Sequence, residues 1–185
     1  MSDIKPWKPS KQQLIDAAGK TLPDIIAPNL RVLFCGINPG LYTAAVGHHF
    51  ARPGNRFWPA LYKSGFTDRL VSPFEERELL KSGIGISNVV PHATASAAEL
   101  NREHFARGGR LLARKVKKYR PRIVAILGVG AYRHAFNQPK AQVGEQTERI
   151  HAARVWVLPN PSGLNANYQL SELVRLFAEL REAAH

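Results

Sequence analysis

The chain has 185 residues, of which 44% are hydrophobic, and 26 Lys and Arg against 14 Asp and Glu give it a formal net charge of +12. This length and apolar content exclude wholesale disorder and suit one globular domain with a short extension. The basic balance favours a polyanionic partner, most simply nucleic acid, although it is also compatible with general solubility. The single cysteine, Cys35, excludes an intrachain disulfide and is interpreted as a small core residue.

The sequence carries no pattern typical of a membrane or secreted protein. No apolar run approaches the roughly 20 residues that a membrane helix needs, and the first residues lack the apolar core of a secretion signal. We therefore expect a cytoplasmic protein with no membrane partner. Internal repeats and low-complexity segments are also absent.

Residues 1–28 are predicted to form an N-terminal tail, and residues 29–185 the globular domain. Ser10, followed by Gln13, is typical of a capping box and predicts a short helix that ends before Gly19. Pro23 and Pro28 then indicate an extended link into the first strand.

Apolar runs and helical patterns alternate through the predicted domain. Strands are predicted within residues 31–40 and 83–91 and over residues 122–128 and 154–158. Helices are predicted over residues 55–64, 73–81, 102–119, 131–136 and 170–183, and a long loop over residues 41–53. The strands are apolar throughout rather than alternating, which indicates a parallel sheet covered on both faces. The sequence therefore predicts an α/β fold.

One face of the predicted helix at 102–119 carries a basic stripe, which consists of Arg107, Arg110, Arg114 and Lys117. The opposite face, which includes Phe105 and Val116, is apolar and should pack on the sheet. A basic stripe has the charge to contact phosphate, but it is more often a solvated face, and we prefer that interpretation.

Several nucleotide, hydrolase and metal motifs are incomplete. The glycines after the third predicted strand do not complete a dinucleotide fingerprint, because Arg133 occupies the position of its third glycine. The chain has no phosphate-binding glycine–lysine–serine loop, and Ser162 lacks the flanking glycines of a nucleophile elbow. No Cys and His cluster has zinc spacing, so we expect no metal and no other cofactor. Of the adjacent His48 and His49, at most one should face a ligand, and the alternative is that both are ordinary loop residues.

Two predicted strands each run into an asparagine–proline loop, with the sequences GINPG at 36–40 and NPSGL at 160–164. In a parallel sheet both loops emerge at the carboxyl edge, where α/β proteins place their ligand sites. Asn38 is the lone polar side chain of the first loop, although a plain strand-ending turn would also use these residues. Leu164 is either a cap of the final helix against the core or an apolar wedge that enters a DNA stack.

The two loops together resemble the motifs of the mismatch-specific uracil-DNA glycosylases, relatives of the thymine-DNA glycosylases. The similarity extends through GHHF at 47–50, PGNRFW at 53–58 and GISN at 85–88, and it covers the chain from residue 27 onward. It implies a three-layer α/β/α sandwich around a short, mainly parallel sheet. It also implies a monomeric, monofunctional glycosylase that acts on double-stranded DNA with a mispaired or damaged base. Such an enzyme flips uracil opposite guanine from the duplex and hydrolyses its glycosidic bond.

The resemblance also implies roles for individual residues. Asn38 would be the catalytic residue that orients the attacking water, and Phe50 would stack on the flipped base. Backbone groups near Ile37 and Phe50 would read the edge of the base, and Asn88 would contact the pyrimidine. The implied base pocket consists of Ile37, Gly40, Tyr42, Thr43, His49, Phe50 and Asn88.

The second loop is implied to contact the DNA duplex. Leu164 would fill the vacated stack, with Gly163 and Asn165 near the guanine that loses its partner. The implied wedge and mismatch contacts are Asn160, Ser162, Gly163, Leu164 and Asn165. Tyr42 and Thr43 replace smaller residues of the family and lie on the side of a thymine methyl, so uracil should be preferred over thymine.

Two alternatives to a glycosylase follow from the same residues. A non-catalytic DNA-binding module on the same fold would keep the charge and the loops without the chemistry. A nucleotide-binding α/β protein that does not act on DNA is disfavoured by the charge and the missing phosphate loop. The sequence does not choose among uracil, thymine and an etheno adduct as the preferred lesion.

Overall fold

The computed structural model describes residues 7–185. In these residues the strands are β1 (Val32–Gly36), β2 (Ile84–Asn88), β3 (Ile123–Leu127), β4 (Gly144–Ile150) and β5 (Ala153–Leu158). The α-helices are α1 (Lys11–Asp16), α2 (Leu41–Val46), α3 (Phe57–Lys63), α4 (Arg102–Tyr119), α5 (Val129–Ala135) and α6 (Leu170–Ala183). Two 3-10 helices, which have about three residues per turn, span Pro73–Ser82 and Ala97–Glu99.

The strands form one sheet in the order β2-β1-β3-β5-β4. β1 pairs in parallel with both β2 and β3, and β3 pairs in parallel with β5, while β4 is antiparallel to β5. The predicted α/β fold with a mainly parallel sheet is therefore confirmed. The carboxyl ends of β1, β2, β3 and β5 consequently meet at one edge of the sheet.

Helices cover both faces of the sheet because β1 is apolar on both of its sides. Phe34 points to one face, where its ring lies 5.4 Å from that of Phe57 in α3 and 5.6 Å from that of Phe177 in α6. Leu33 belongs to the core on the other face, which includes Leu112 of α4 and residues of α5. Two apolar layers on one continuous sheet give the α/β/α sandwich.

Cys35 is fully buried in the second of these layers. Burial raises the pKa of its thiol far above the usual range, and the nearby Asp24 carboxylate adds to that increase. The thiol therefore stays protonated, in agreement with its interpretation as a core residue.

Two elements differ from the sequence prediction. Helix α2 lies inside the predicted loop 41–53, between Gly40 at its start and Gly47 at its end, where Gly47 has a left-handed φ of 82°. Strand β4 was not predicted, because it is a polar edge strand whose sequence GEQTERI has neither an apolar run nor a buried face.

The remaining helices agree with the prediction apart from their bounds and one helix type. α3 begins at Phe57 rather than residue 55, because the Asn55 side chain accepts the Phe57 N–H at 2.9 Å and precedes the first turn. α5 begins at Val129 rather than residue 131. Pro73–Ser82 is a 3-10 helix, which the sequence pattern does not separate from an α-helix because their repeats of about 3.0 and 3.6 residues per turn differ little over ten residues.

The described part of the N-terminal segment packs against the sheet edge. The predicted capping box is present, with Ser10 Oγ accepting from the Gln13 N–H at 3.2 Å. Ala17 is fully buried, and Ile25 forms an antiparallel bridge with Ile86 of β2. The division into a tail at 1–28 and a domain at 29–185 stays a prediction, and residues 1–6 lie outside the described part. No helix in residues 7–185 is long and apolar enough to cross a membrane.

Candidate active site

A cleft of about 590 Å³ opens at the carboxyl edge of the sheet. Its walls come from the loops that follow β1 and β5, from α2, and from the end of β2. The predicted site residues that line it are Ile37, Asn38, Gly40, Tyr42, Thr43, His49, Phe50, Asn88, Asn160, Ser162, Leu164 and Asn165. The fold thus brings the two asparagine–proline loops to the same cleft.

Asn38 is held by two hydrogen bonds that use both hydrogens of its side-chain amide. Its Nδ2 donates to the His92 carbonyl at 3.1 Å and to Thr94 Oγ1 at 2.8 Å. A carbonyl oxygen only accepts hydrogen bonds, so the atom that faces His92 must be Nδ2. The same orientation suits Thr94, whose hydroxyl donates to the Ser96 carbonyl at 2.9 Å and therefore accepts from Asn38. The amide oxygen is left as an acceptor in the cleft.

His92 and Thr94 were missed in the sequence, because nothing in the local pattern of residues 91–97 identifies a ligand site. Thr94 lies far from Asn38 in the chain, and a backbone bridge between Gly40 and Thr94 brings the two segments together. Thr94 and Leu14 both line the cleft. The folded chain, and not a local sequence motif, brings these residues to the cleft.

Phe50 forms an aromatic wall of the cleft. Its ring stacks on Phe57 with centroids 4.2 Å apart and an interplanar angle of 27°. Its backbone has a φ of 54°, a left-handed value that bulky residues rarely adopt, so local packing must hold it there. A Cβ on Gly36 would lie 3.3 Å from the Phe50 ring and 2.8 Å from Asn88 Oδ1, so Gly36 lets both side chains approach the end of β1.

His49 is buried, with 2% of its surface exposed, and its ring orientation is fixed by a carbonyl. Its Nε2 lies 2.9 Å from the Pro23 oxygen, which only accepts, so Nε2 carries the proton. Nδ1 then lies 3.5 Å from the Asn88 amide nitrogen. The His49 N–H donates to Glu76 Oε2 at 2.7 Å, and Trp58 Nε1 donates to the His49 carbonyl.

Only one of the two adjacent histidines lines the cleft, as predicted. His48 turns away, with its Nδ1 3.0 Å from Glu76 Oε1 and its ring against Phe74. The Glu76 carboxylate therefore fixes both ends of the His48–His49 segment. This arrangement positions the backbone that leads into Phe50.

The loop between β5 and α6, residues 159–169, will be called the β5–α6 loop. Leu164 lies at its tip with 75% of its surface exposed, so the alternative in which it caps the final helix against the core is wrong. Gly163 does not line the cleft, and a Cβ at this position would lie 2.6 Å from the Gly54 carbonyl. In the described chain, the Gly163 and Ala166 N–H groups have no acceptor within the protein.

Helix α2 contributes Tyr42 and Thr43 to the cleft. Thr43 is nearly buried, at 8% exposure, while Tyr42 is partly exposed. Both side chains are therefore fixed to a helix rather than to a loop, which limits how far they can move away from a ligand.

The cleft is basic and contains no carboxylate. Among the described residues that line it, Arg52 carries the only full charge, and neither Asp, Glu nor Lys is present. Within residues 7–185 no group of three His, Cys, Asp or Glu side chains is placed to bind a metal ion. The polar groups available for chemistry are thus amides, hydroxyls and backbone groups.

This fold and cleft define an α/β protein whose candidate ligand site lies at the carboxyl edge of a mainly parallel sheet. A comparison with protein-family models matches residues 23–183 to the family described as the uracil DNA glycosylase superfamily. The chain belongs to this superfamily, whose members are hydrolases that cleave glycosidic bonds in DNA. The match covers both asparagine–proline loops and every residue placed in the candidate site except Leu14.

Proposed function

We propose that this protein is a monofunctional DNA glycosylase that excises uracil mispaired with guanine in double-stranded DNA and so begins base excision repair. It would act as a monomer in the cytoplasm and without a cofactor. The observation that carries the proposal is the Asn38 amide, whose two N–H groups are bound to His92 and Thr94 and whose oxygen is left as an acceptor in the cleft.

The proposed reaction is direct hydrolysis by water. In duplex DNA the reacting C1′ atom is hidden, so the base must first leave the stack and enter the cleft. Asn38 Oδ1 would accept a hydrogen bond from the attacking water and aim the water at C1′. An amide is a poor base, so the rate would depend on stabilising the departing uracil anion with fixed N–H donors. With no lysine among the described cleft residues, we expect an abasic product and no strand cleavage.

The base would be bound against Phe50, whose ring is supported from behind by Phe57. Aromatic stacking suits any pyrimidine, so selection must come from the edge of the base. Asn88, fixed beside His49, would contact that edge together with backbone groups of Ile37 and Phe50. Tyr42 and Thr43 would crowd position C5, so uracil would be removed faster than thymine. Whether an etheno adduct also fits depends on the same wall.

Leu164 would enter the duplex and fill part of the space that the flipped base leaves in the stack. Its exposure at the tip of the β5–α6 loop supports this role, because a large apolar side chain held out in solvent contributes little to the core. The open N–H groups of Gly163 and Ala166 are donors for the acceptors that a base flip exposes on the guanine or the backbone.

Single-turnover excision measures the proposed function directly. Excess protein is mixed with duplexes containing G·U, A·U or G·T, and abasic sites are converted to breaks with alkali after quenching. We expect excision of uracil from G·U, fastest of the three, and the same rate in excess chelator. Tight binding of the G·U duplex without any abasic product would instead identify a non-catalytic DNA-binding module.

A further inference from the structure

We propose that Arg56 is a positioning residue that fixes the shape of the β5–α6 loop and thereby controls insertion of Leu164 into DNA. This inference rests on the proposed glycosylase function. It goes beyond that function because Arg56 does not line the cleft and has no role in the chemistry described above. Its influence on the reaction must therefore pass through the loop that it contacts.

The Arg56 guanidinium donates to four backbone carbonyls of the β5–α6 loop. Nε donates to Pro161 at 3.4 Å, Nη1 to Tyr168, and Nη2 to both Ser162 and Asn165, the last at 3.0 Å. The backbone N–H of Arg56 donates again to the Pro161 carbonyl at 3.0 Å. A single side chain thus joins the start of the loop to its end, on both sides of Leu164.

The donor in all of the side-chain hydrogen bonds of Arg56 is a positively charged guanidinium. In residues 7–185, no Asp or Glu forms an ion pair with Arg56, so the carbonyls are its polar partners. Hydrogen bonds from a charged donor are stronger than neutral ones, and the planar guanidinium fixes their directions. With the carbonyls of Ser162 and Asn165 turned toward Arg56, the N–H group of Gly163 between them remains open.

The turn that carries Arg56 also supports the loop through backbone contact. Gly163 packs on Gly54 so closely that a Cβ would lie 2.6 Å from the Gly54 carbonyl. Asn165 Nδ2 donates to the Asn160 carbonyl at 3.0 Å, which closes the loop on itself. Residues 54–56 therefore support the loop from below, and Leu164 extends from this supported loop into solvent.

The consequence concerns the cost of wedge insertion. A loop that lacks the backbone hydrogen bonds of a helix or strand has many conformations. Ordering such a loop on DNA costs conformational entropy and so weakens binding. Arg56 removes that cost in advance by holding the loop in one shape. Loss of Arg56 should therefore slow base flipping on stacked DNA, without changing the chemistry of a base that is already in the cleft.

The test combines two assays on the full chain. Single-turnover excision is measured on a G·U duplex and on the same strand with the uracil in a bubble of mismatched pairs. Flipping is followed separately by the fluorescence of 2-aminopurine next to 2′-fluorodeoxyuridine, an analogue that resists excision. The proteins are wild type, Arg56→Met, Arg56→Lys, Leu164→Ala, and the double variant with Arg56→Met and Leu164→Ala.

We expect Arg56→Met to slow duplex excision about tenfold or more, since charged hydrogen bonds are lost, and to reduce the 2-aminopurine signal. Excision from the bubble should change by less than about threefold, because little stacking has to be broken there. Arg56→Lys should stay close to Arg56→Met, since an ammonium group lacks the fork geometry. The double variant should be no slower than Leu164→Ala alone, because both changes remove the same step.

Arg31→Met is the matched control. Arg31 is also half-buried and also binds a carbonyl, that of Ser82, through Nε and Nη2, but it precedes β1 and so lies at the opposite edge of the sheet. The Arg31→Met variant loses the same charge and the same type of hydrogen bond as Arg56→Met. Its excision rate and its 2-aminopurine signal should stay near those of the wild type.

Gly163→Ala provides a second route to the same result. The added methyl group would displace the loop from Gly54 without touching Arg56, so it should reproduce the duplex-specific loss even if Arg56→Met does not fold. The proposal is overturned if Arg56→Met leaves duplex excision unchanged, slows both substrates equally, or slows the Leu164→Ala protein further. Absence of excision by the wild-type protein would instead refute the proposed function, and this inference with it.

Discussion

At the scale of single residues, the site is built from side chains whose hydrogen bonds leave one orientation available. Asn38 has both amide hydrogens occupied, and His49 has its Nε2 proton directed at a carbonyl. Neither assignment depends on locating a hydrogen, because a carbonyl oxygen accepts and never donates. The acceptor oxygen that Asn38 presents to the cleft and the orientation of the His49 ring are therefore fixed before any ligand arrives, which is what preorganised catalysis requires.

Asn38→Ala should lower uracil excision by at least about a hundredfold, as expected when a group that acts on the transition state is removed. Affinity for a G·U duplex should change little, because Asn38 carries no charge and phosphate contacts dominate DNA binding. Single-turnover excision and a binding isotherm measure the two effects. A variant with a near-normal rate would exclude Asn38 from the mechanism.

Thr43→Ala should narrow the preference for uracil over thymine opposite guanine. The shorter side chain opens space on α2 beside the proposed C5 position, while the uracil rate should be nearly unchanged. The measurement is the ratio of single-turnover rates on G·U and G·T duplexes. Thr67→Ala is the control, because Thr67 lies outside the cleft and its hydroxyl donates to the Arg69 carbonyl. A wild-type protein that prefers thymine would contradict the placement of this pocket wall.

At the scale of elements, the N-terminal segment contributes to the site through the backbone. The Gly19 N–H donates to the Ala93 carbonyl at 2.9 Å, and the Ala93 N–H donates to the Lys20 carbonyl at 2.8 Å. These bonds support residues 92–94, whose own groups hold Asn38. The family match begins at residue 23, so this support comes from outside the part of the chain that the superfamily defines.

Deleting residues 1–22 should therefore lower both stability and excision. The deletion removes the buried Ala17 and the two backbone bonds to Ala93, each worth about 1 kcal/mol, so the midpoint of thermal unfolding should fall by several degrees. Excision should fall more than duplex affinity does, because the change acts through Asn38. Deleting only residues 1–6 is the control, and full activity of the longer deletion would show that the segment is a dispensable tail.

The sequence predicted those elements whose signals are local. Buried strands such as β3 are continuous apolar runs, and α4 has a strong apolar face with a capping residue at Asn101, so their positions follow from the pattern. Strand β4 could not be predicted, because its stability comes from pairing with β5 and not from its own polar sequence. Helix α2 is six residues long and has no side-chain cap, so it also leaves little local signal.

The candidate site could also be predicted only in part, where local sequence patterns place its residues. The two asparagine–proline loops could be placed together, because parallel strands end at one edge of the sheet. Asn38 and Thr94 are separated by 56 positions in the chain. Arg56 and the residues that it contacts in the β5–α6 loop are separated by about 110 positions. Such contacts depend on the completed fold and carry no pattern of their own.

At the scale of the whole molecule, exposed basic residues lie both on α4 and at the cleft. Arg107, Arg110, Arg114 and Lys117 are all exposed on α4, and among the described residues none of them forms an ion pair. Arg52 is also exposed but lies in the cleft. The basic stripe on α4 would not have to contact DNA that is bound in the cleft. Arg52, which lines the cleft, would contact such DNA.

Duplex affinity should fall steeply with salt, because each phosphate bound by Lys or Arg releases a condensed counterion. For about four phosphate contacts the affinity should fall about a hundredfold between roughly 50 and 200 mM salt. Arg52→Gln should reduce the slope of log affinity against log salt by about one, since it removes a cation from the cleft. The double variant Arg110→Gln and Arg114→Gln changes the net charge twice as much, but it should leave the slope nearly unchanged if the stripe is a solvated face. A slope that falls with the α4 variant and not with Arg52→Gln would show that DNA crosses α4 and that the cleft is not where the duplex is held.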